Sequence, residues 1–115
     1  MQYMLLIYQN EGFRQTASEK QMKETMGAYT AYTTAMRESG AYVAGAPLQP
    51  SSTATTVRIA DGRSKVLNGP YAETKEQLGG YYIIDVADLD AALTWAARCP
   101  GAQTGVLEVR PVWAM

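Results

Sequence analysis

Hydrophobic positions change their period several times along the chain, and each change predicts an element. Tyr3, Met4, Leu5, Leu6, Ile7 and Tyr8 follow one another without a polar break until Gln9-Asn10-Glu11-Gly12. A half-buried strand alternates, so a run that is apolar on both faces predicts a central strand. A second double-sided run, Tyr81 to Ile84 inside 78–86, predicts another. After the first run the spacing becomes helical: Met22, Met26, Tyr29, Thr33 and Met36 form one stripe, while Lys20, Lys23, Glu24, Arg37 and Glu38 lie away from it. Thr16 with Glu19 and Ser18 with Gln21 are two overlapping capping boxes, and Gly40 suits the stop. Together they predict a helix over 18–39, about 30 Å long, with its methionines in the core. Gly27 weakens its middle by up to ~1 kcal/mol relative to alanine.

The 44–52 stretch carries Pro47 and Pro50 without any periodicity and is expected to be a surface loop. Thr53, Thr55, Val57 and Ile59 then share one face of a strand, Asp61-Gly62 supplies a type I′ turn, and 64–67 returns, which predicts a hairpin. A polar loop over 68–77 precedes the second central strand. Asp88 caps a shorter helix whose stripe is Leu89, Ala92, Leu93 and Ala96, and Pro100-Gly101 ends it. A last strand over 105–112 puts Glu108 and Arg110 on one face.

This order, βαββαβ with an additional β segment in the middle, predicts an α+β fold of the ferredoxin-like split βαβ type, spanning 1–115 as one domain. That fold puts its first and third strands at the centre of the sheet, where the two double-sided runs fall. Its two helices cover one face only. The other face, apolar and aromatic, is then expected to pair with a second copy in a homodimer joined sheet to sheet.

Composition narrows the chemistry. The chain has 10 basic and 11 acidic residues, no histidine and a single cysteine. Without histidine there is no Ser-His-Asp or Cys-His catalysis and no histidine-ligated metal, and one cysteine makes neither an internal disulfide nor a thiolate zinc site. No metal is expected. The near-neutral balance is not the electrostatic footprint of a nucleic-acid or anionic-membrane binder. No segment has the ~20 apolar residues of a membrane helix and no secretory leader is evident, so a cytoplasmic protein is expected. Gly79-Gly80 lacks the spacing of a phosphate loop, and no cofactor is expected.

The densest group of polar and ionisable residues is Asn68-Gly69-Pro70-Tyr71-Ala72-Glu73-Thr74-Lys75-Glu76. Glu73 is a candidate general base, or an acceptor that stabilises the loop by bonding backbone N–H groups. Lys75 is a candidate anion binder or a solvated charge. Tyr82 presents its hydroxyl to a cavity or packs with that hydroxyl satisfied. Arg58 and Arg110 clamp a carboxylate or pair with Glu108. Asn68 favours an Asx-type turn. Cys99, at a helix end, reads as a small apolar filler.

Gly69 through Tyr81 resembles the Asp-Gly-Pro-Phe-Ala-Glu-Thr-Lys-Glu signature of the DGPF branch of the YCII-related family, with Asn68 in place of the aspartate and Tyr71 in place of the phenylalanine. The 85–92 segment, Trp95-Ala96, Cys99-Pro100-Gly101, 109–112 and the opening 3–8 are similar to the same family. The resemblance implies a dimeric α/β-barrel assembly, paired through sheets, in a bacterial cytoplasmic protein of uncharacterised role. It also implies company with extracytoplasmic-function sigma factors. The His-Asp pair proposed for enzymes of the wider family has no counterpart here. Two functions remain: binding or transforming a small molecule near the 68–77 loop and the dimer seam, with Arg58, Asn68, Tyr71, Glu73, Lys75, Tyr82 and Arg110 as candidate contacts, or a non-catalytic protein-interaction module in transcriptional or stress regulation.

Overall fold

The structure is a computed structural model describing all 115 residues, the side chain of Arg14 excepted. Four strands, β1 (Gln2–Gln9), β2 (Tyr42–Pro47), β5 (Gln77–Asp85) and β6 (Val106–Pro111), form an antiparallel sheet in the order β2-β5-β1-β6. β1 and β5 are the central pair, as their double-sided runs predict. The order is that of a ferredoxin-like sheet. A separate two-stranded ribbon joins β3 (Thr55–Ala60) to β4 (Arg63–Asn68). Asp61 and Gly62 both have positive φ at its tip, the type I′ geometry that the Asp-Gly pair predicts.

The edge strand beside β5 is a correction. It comes from 42–47, not from the hairpin, although Ala44-Gly45-Ala46-Pro47 carries none of the branched residues that mark strands. The composition reflects close packing: a Cβ on Gly45 would stand 2.7 Å from the Tyr82 ring and 3.0 Å from the Tyr81 carbonyl oxygen. Pro47 is tolerated at a sheet edge, where no inward N–H is needed.

Helices α2 (Glu19–Glu38) and α3 (Leu89–Arg98) lie on one face, with short turns α1 (Gly12–Thr16) and α4 (Gly101–Thr104) before and after them in the chain. Ser18 and Gln21 form the full capping box, each side chain bonded to the other's backbone N–H. Thr16 instead bonds back to the carbonyls of Gly12 and Phe13, so the second capping box does not form. The core stripes are shifted from those the spacing predicts. On α2 the packed positions are Tyr29, Tyr32, Thr33 and Met36, while Met22 is exposed and Met26 is 68% exposed. Every residue of α2 from 19 to 28 is exposed, so the first half of the helix lies outside the packed core. On α3 the core takes Ala92, Trp95, Ala96 and Cys99, and leaves Leu89 and Leu93 at the rim. Tyr3, Leu5, Ile7, Tyr82 and Ile84 meet these helices from the sheet. The opposite face carries Met4, Leu6, Tyr8, Tyr81 and Ile83, all partly exposed.

Candidate functional site

The residues singled out in the sequence occupy three separate places. Arg58, Asn68 and Tyr71 belong to the ribbon and its exit: Arg58 is opposite Lys65, Asn68 is opposite Thr55, and the Arg58 guanidinium sits 5.6 Å from the centre of the Tyr71 ring, which is 77% exposed. Glu73 and Lys75 follow on the exposed loop, and among the described residues neither side chain has a hydrogen bond or ion pair. Tyr82 points to the helices. Its hydroxyl is 2.8 Å from Thr33 Oγ1, and its ring meets those of Tyr32 and Tyr42 edge-on. Arg110 is on the open sheet face and donates to Glu108 at 3.0 Å, an exposed pair of small energetic weight.

A different group converges where the 69–76 loop re-enters the sheet. β1 ends at Gln9, the chain turns through Asn10 and Glu11 into α1, and Gln77 starts β5 alongside. The Glu11 carboxylate accepts from the Ser51 backbone N–H at 2.7 Å and from the Ser51 hydroxyl at 2.8 Å. The Glu11 N–H donates to Gln77 Oε1 at 3.1 Å, and Gln77 Nε2 reaches back to the Thr74 carbonyl. One carboxylate thus ties the β1 exit to the 3-10 turn Ser51–Thr53, and one amide ties it to the polar loop. Between these ties lies a cleft of about 210 Å³, whose walls include Gln9, Asn10, Gln49 and Gln77 with Phe13 and Leu48. Carboxamides both donate and accept, so the walls offer hydrogen bonds of either sense around an apolar edge.

Neither Glu11 nor Ser51 stands out in the sequence. Glu11 reads as part of a strand terminator, and no spacing pattern links it to residues 40 and 66 positions away. A larger hollow of about 680 Å³ lies between the two chain ends. Its single ionisable side chain, Asp85, is held by the amino group of Met1 at 2.8 Å.

The interior holds a third polar group, Tyr29, Tyr32, Tyr82 and Cys99. Burial pushes the Tyr29 and Tyr32 hydroxyls well above the ordinary tyrosine range, and the neighbouring Cys99 adds to it. Burial also raises Tyr82, partly offset by its bond with Thr33, and raises the Cys99 thiol against opposing bonds from Gly101, Tyr29 and Ala102. A buried, protonated thiol is a poor nucleophile. Tyr32 donates to the Trp95 carbonyl at 2.7 Å, so the cluster holds α2 to α3. Among the described residues no three Asp, Glu or Cys side chains converge as metal ligands, and no helix is long and apolar enough to cross a membrane.

The profile of the YCII-related domain matches residues 1–115. The chain belongs to the YCII-related family. An uncharacterized protein of Rhizobium meliloti (strain 1021) is 39% identical over 114 residues, covering 97% of this chain and 92% of its own. This YCII-related chain also superposes on the solved structure of 5-chloro-2-hydroxyhydroquinone dehydrochlorinase from Burkholderia phenoliruptrix, in complex with 2,5-dihydroxybenzoquinone. The TM-score is 0.53 at 13% identity, covering 98% of this chain and 94% of that one. At that identity the likeness is one of fold.

Proposed function

We propose that this YCII-related protein belongs to the DGPF branch and binds or transforms a small polar molecule, working as a homodimer paired through the open sheet face. The ligand is held in the cleft between Glu11 and Gln77. The observation that carries the reading is the convergence there of a carboxylate, several carboxamides and an apolar edge, at the point where the family-like 69–76 loop joins the sheet. Those walls suit a small ring bearing hydroxyl or carbonyl groups. The fold relative's complex with 2,5-dihydroxybenzoquinone supports the same class. Glu73, four residues before Gln77 in the chain, is the candidate proton acceptor, with Lys75 and Tyr71 near it in sequence.

The test is titration with 2,5-dihydroxybenzoquinone, followed by backbone amide NMR. Shifts are expected at Gln9, Asn10 and Gln77. Glu11→Gln is nearly isosteric: its carbonyl oxygen still accepts from the Ser51 N–H, and its NH2 can donate to the Ser51 hydroxyl. The substitution is therefore expected to lower the melting temperature by only a few degrees, at a cost of about 1 kcal/mol, while weakening ligand binding at least tenfold. Glu73→Gln is expected to reduce binding or turnover with the melting temperature unchanged. Absence of shifts at millimolar ligand, or a Glu11→Gln protein that binds as the wild type does, rejects the cleft.

A further inference from the structure

The ribbon of β3 and β4 is built for a contact that one chain does not make. Facing residues in an antiparallel pair point to the same side, so the register divides the ribbon into two unlike faces. Val57 opposite Val66, with Ile59 next along, makes one face. Arg58 opposite Lys65 and Ala60 opposite Arg63 make the other, with Leu67 opposite Thr56 at its far end and 62% exposed. Val57, Val66 and Ile59 are 61%, 61% and 65% exposed, and each strand packs chiefly against the other. A lone two-stranded hairpin is at best marginally stable in water.

The whole molecule is also too open. Its accessible surface is 8234 Å², against roughly 6,200 Å² expected for a compact monomer of this mass. Its radius of gyration is 16.1 Å, where about 13 Å is usual, and its extents are 48 × 43 × 19 Å. The surplus, roughly 2,000 Å² per chain, is the scale that an obligate dimer removes from each partner. The open sheet face alone has a footprint of about 460 Å², from four strands ~4.8 Å apart and six to nine residues long. Sheet pairing therefore leaves much of the surplus unexplained, and the ribbon is the largest free-standing part.

We propose that the ribbon is a dimerisation arm: its Val57-Ile59-Val66 face lies on a second copy of this chain, and its Arg63-Lys65 face stays in solvent. The inference rests on the sheet-to-sheet homodimer proposed above and adds a second contact to it. Two-fold symmetry doubles the gain, since each copy gives one arm and receives one.

Sedimentation equilibrium on the full chain tests this with three variants. Val57→Thr, Ile59→Thr and Val66→Thr combined keep branched, strand-favouring side chains while removing apolar surface. That triple variant is expected to raise the dimer dissociation constant at least 100-fold, with the far-UV circular dichroism unchanged. Arg63→Thr with Lys65→Thr is expected to leave it within threefold. Leu6→Glu reports separately on the sheet face. If the triple variant also stays within threefold while Leu6→Glu dissociates, the arm is wrong and the sheet pairing stands. If the basic-face variant dissociates as far as the triple variant, the apolar face is not the contact and the arm is again wrong. A wild-type monomer at 50 µM, or capture by the ribbon of a different protein in place of its own copy, overturns both.

Discussion

Raising the pH above 10 should loosen this protein through the tyrosines between its helices and sheet. Tyr32 is 5% exposed and Tyr29 is partly buried, and both are held neutral in the folded chain far beyond the pH at which a solvated tyrosine ionises. Their folded pKa values are raised, so the stability they contribute is fully present below the unfolded value of about 10 and is lost as pH climbs toward the folded values. At pH 11 the unfolded chain has released a proton that the native chain keeps, which costs the fold about 1.4 kcal/mol for a fully protected tyrosine. Tyr32 should lose that amount and the partly solvated Tyr29 less, about 2 kcal/mol from the pair, and Tyr82 and Cys99, raised by the same burial, add loss of the same sign. In a domain of this length, the pair's loss lowers the melting temperature by about 8 °C.

Urea unfolding at pH 8 and pH 11, followed by circular dichroism, measures the loss. Exposed lysines titrate in the same window, so Tyr32→Phe is the control. It gives up the bond to the Trp95 carbonyl and starts about 1 kcal/mol less stable at pH 8, but its further loss at pH 11 should be smaller than that of the wild type by about 1.4 kcal/mol. Stability at pH 11 within 0.5 kcal/mol of its value at pH 8, or an unaltered pH slope in Tyr32→Phe, would refute the assignment of these hydroxyls to a dry interior.

Two other substitutions probe how the scaffold is held. Gly45→Ala should cost about 1–3 kcal/mol in thermal unfolding, because its Cβ needs the space of the Tyr82 ring 2.7 Å away; restoration by Tyr82→Leu in the same chain would identify the clash as the cause. Ser18→Ala removes the bond to the Gln21 N–H, worth about 1 kcal/mol to the helix end. Residues 19–28 of α2 are all exposed, so the loss should appear as faster amide exchange over 21–26, with global stability changed by less than about 0.5 kcal/mol.

Where burial was decided along one element, the sequence revealed it. β1 and β5 carry apolar residues on both faces, and the sheet puts both at its centre. Asp61-Gly62 dictates its turn because only a few residues accept positive φ at two successive positions. Pattern and structure part where a second element makes the decision. The spacing of Met22 and Met26 is as helical as that of Met36, but nothing within α2 records that the neighbouring elements leave its first half exposed. β2 was hidden because it is shaped by a neighbour: Gly45 is small so that Tyr82 can lie over it, and in isolation Ala44-Gly45-Ala46-Pro47 looks like loop.

The candidate site follows the same rule. Tyr81 and Tyr82 are indistinguishable in a run of four apolar residues, yet alternation sends one to the helices and the other to the open face. The space above Gly45 is on the side that Tyr82 takes, so the missing Cβ on β2 favours this parity of β5. Glu11 is a more distant instance. Its carboxylate matters because Ser51 and Gln77 arrive from two other parts of the chain, and such a meeting leaves no period or motif at residue 11. The 69–76 loop, by contrast, is conspicuous in the sequence because its chemistry is contiguous. In the fold it leads into the cleft through Gln77, whose side chain bonds both the loop carbonyl of Thr74 and the backbone of Glu11. Gln77 therefore links the part of the site that can be read from the sequence to the part that only folding assembles.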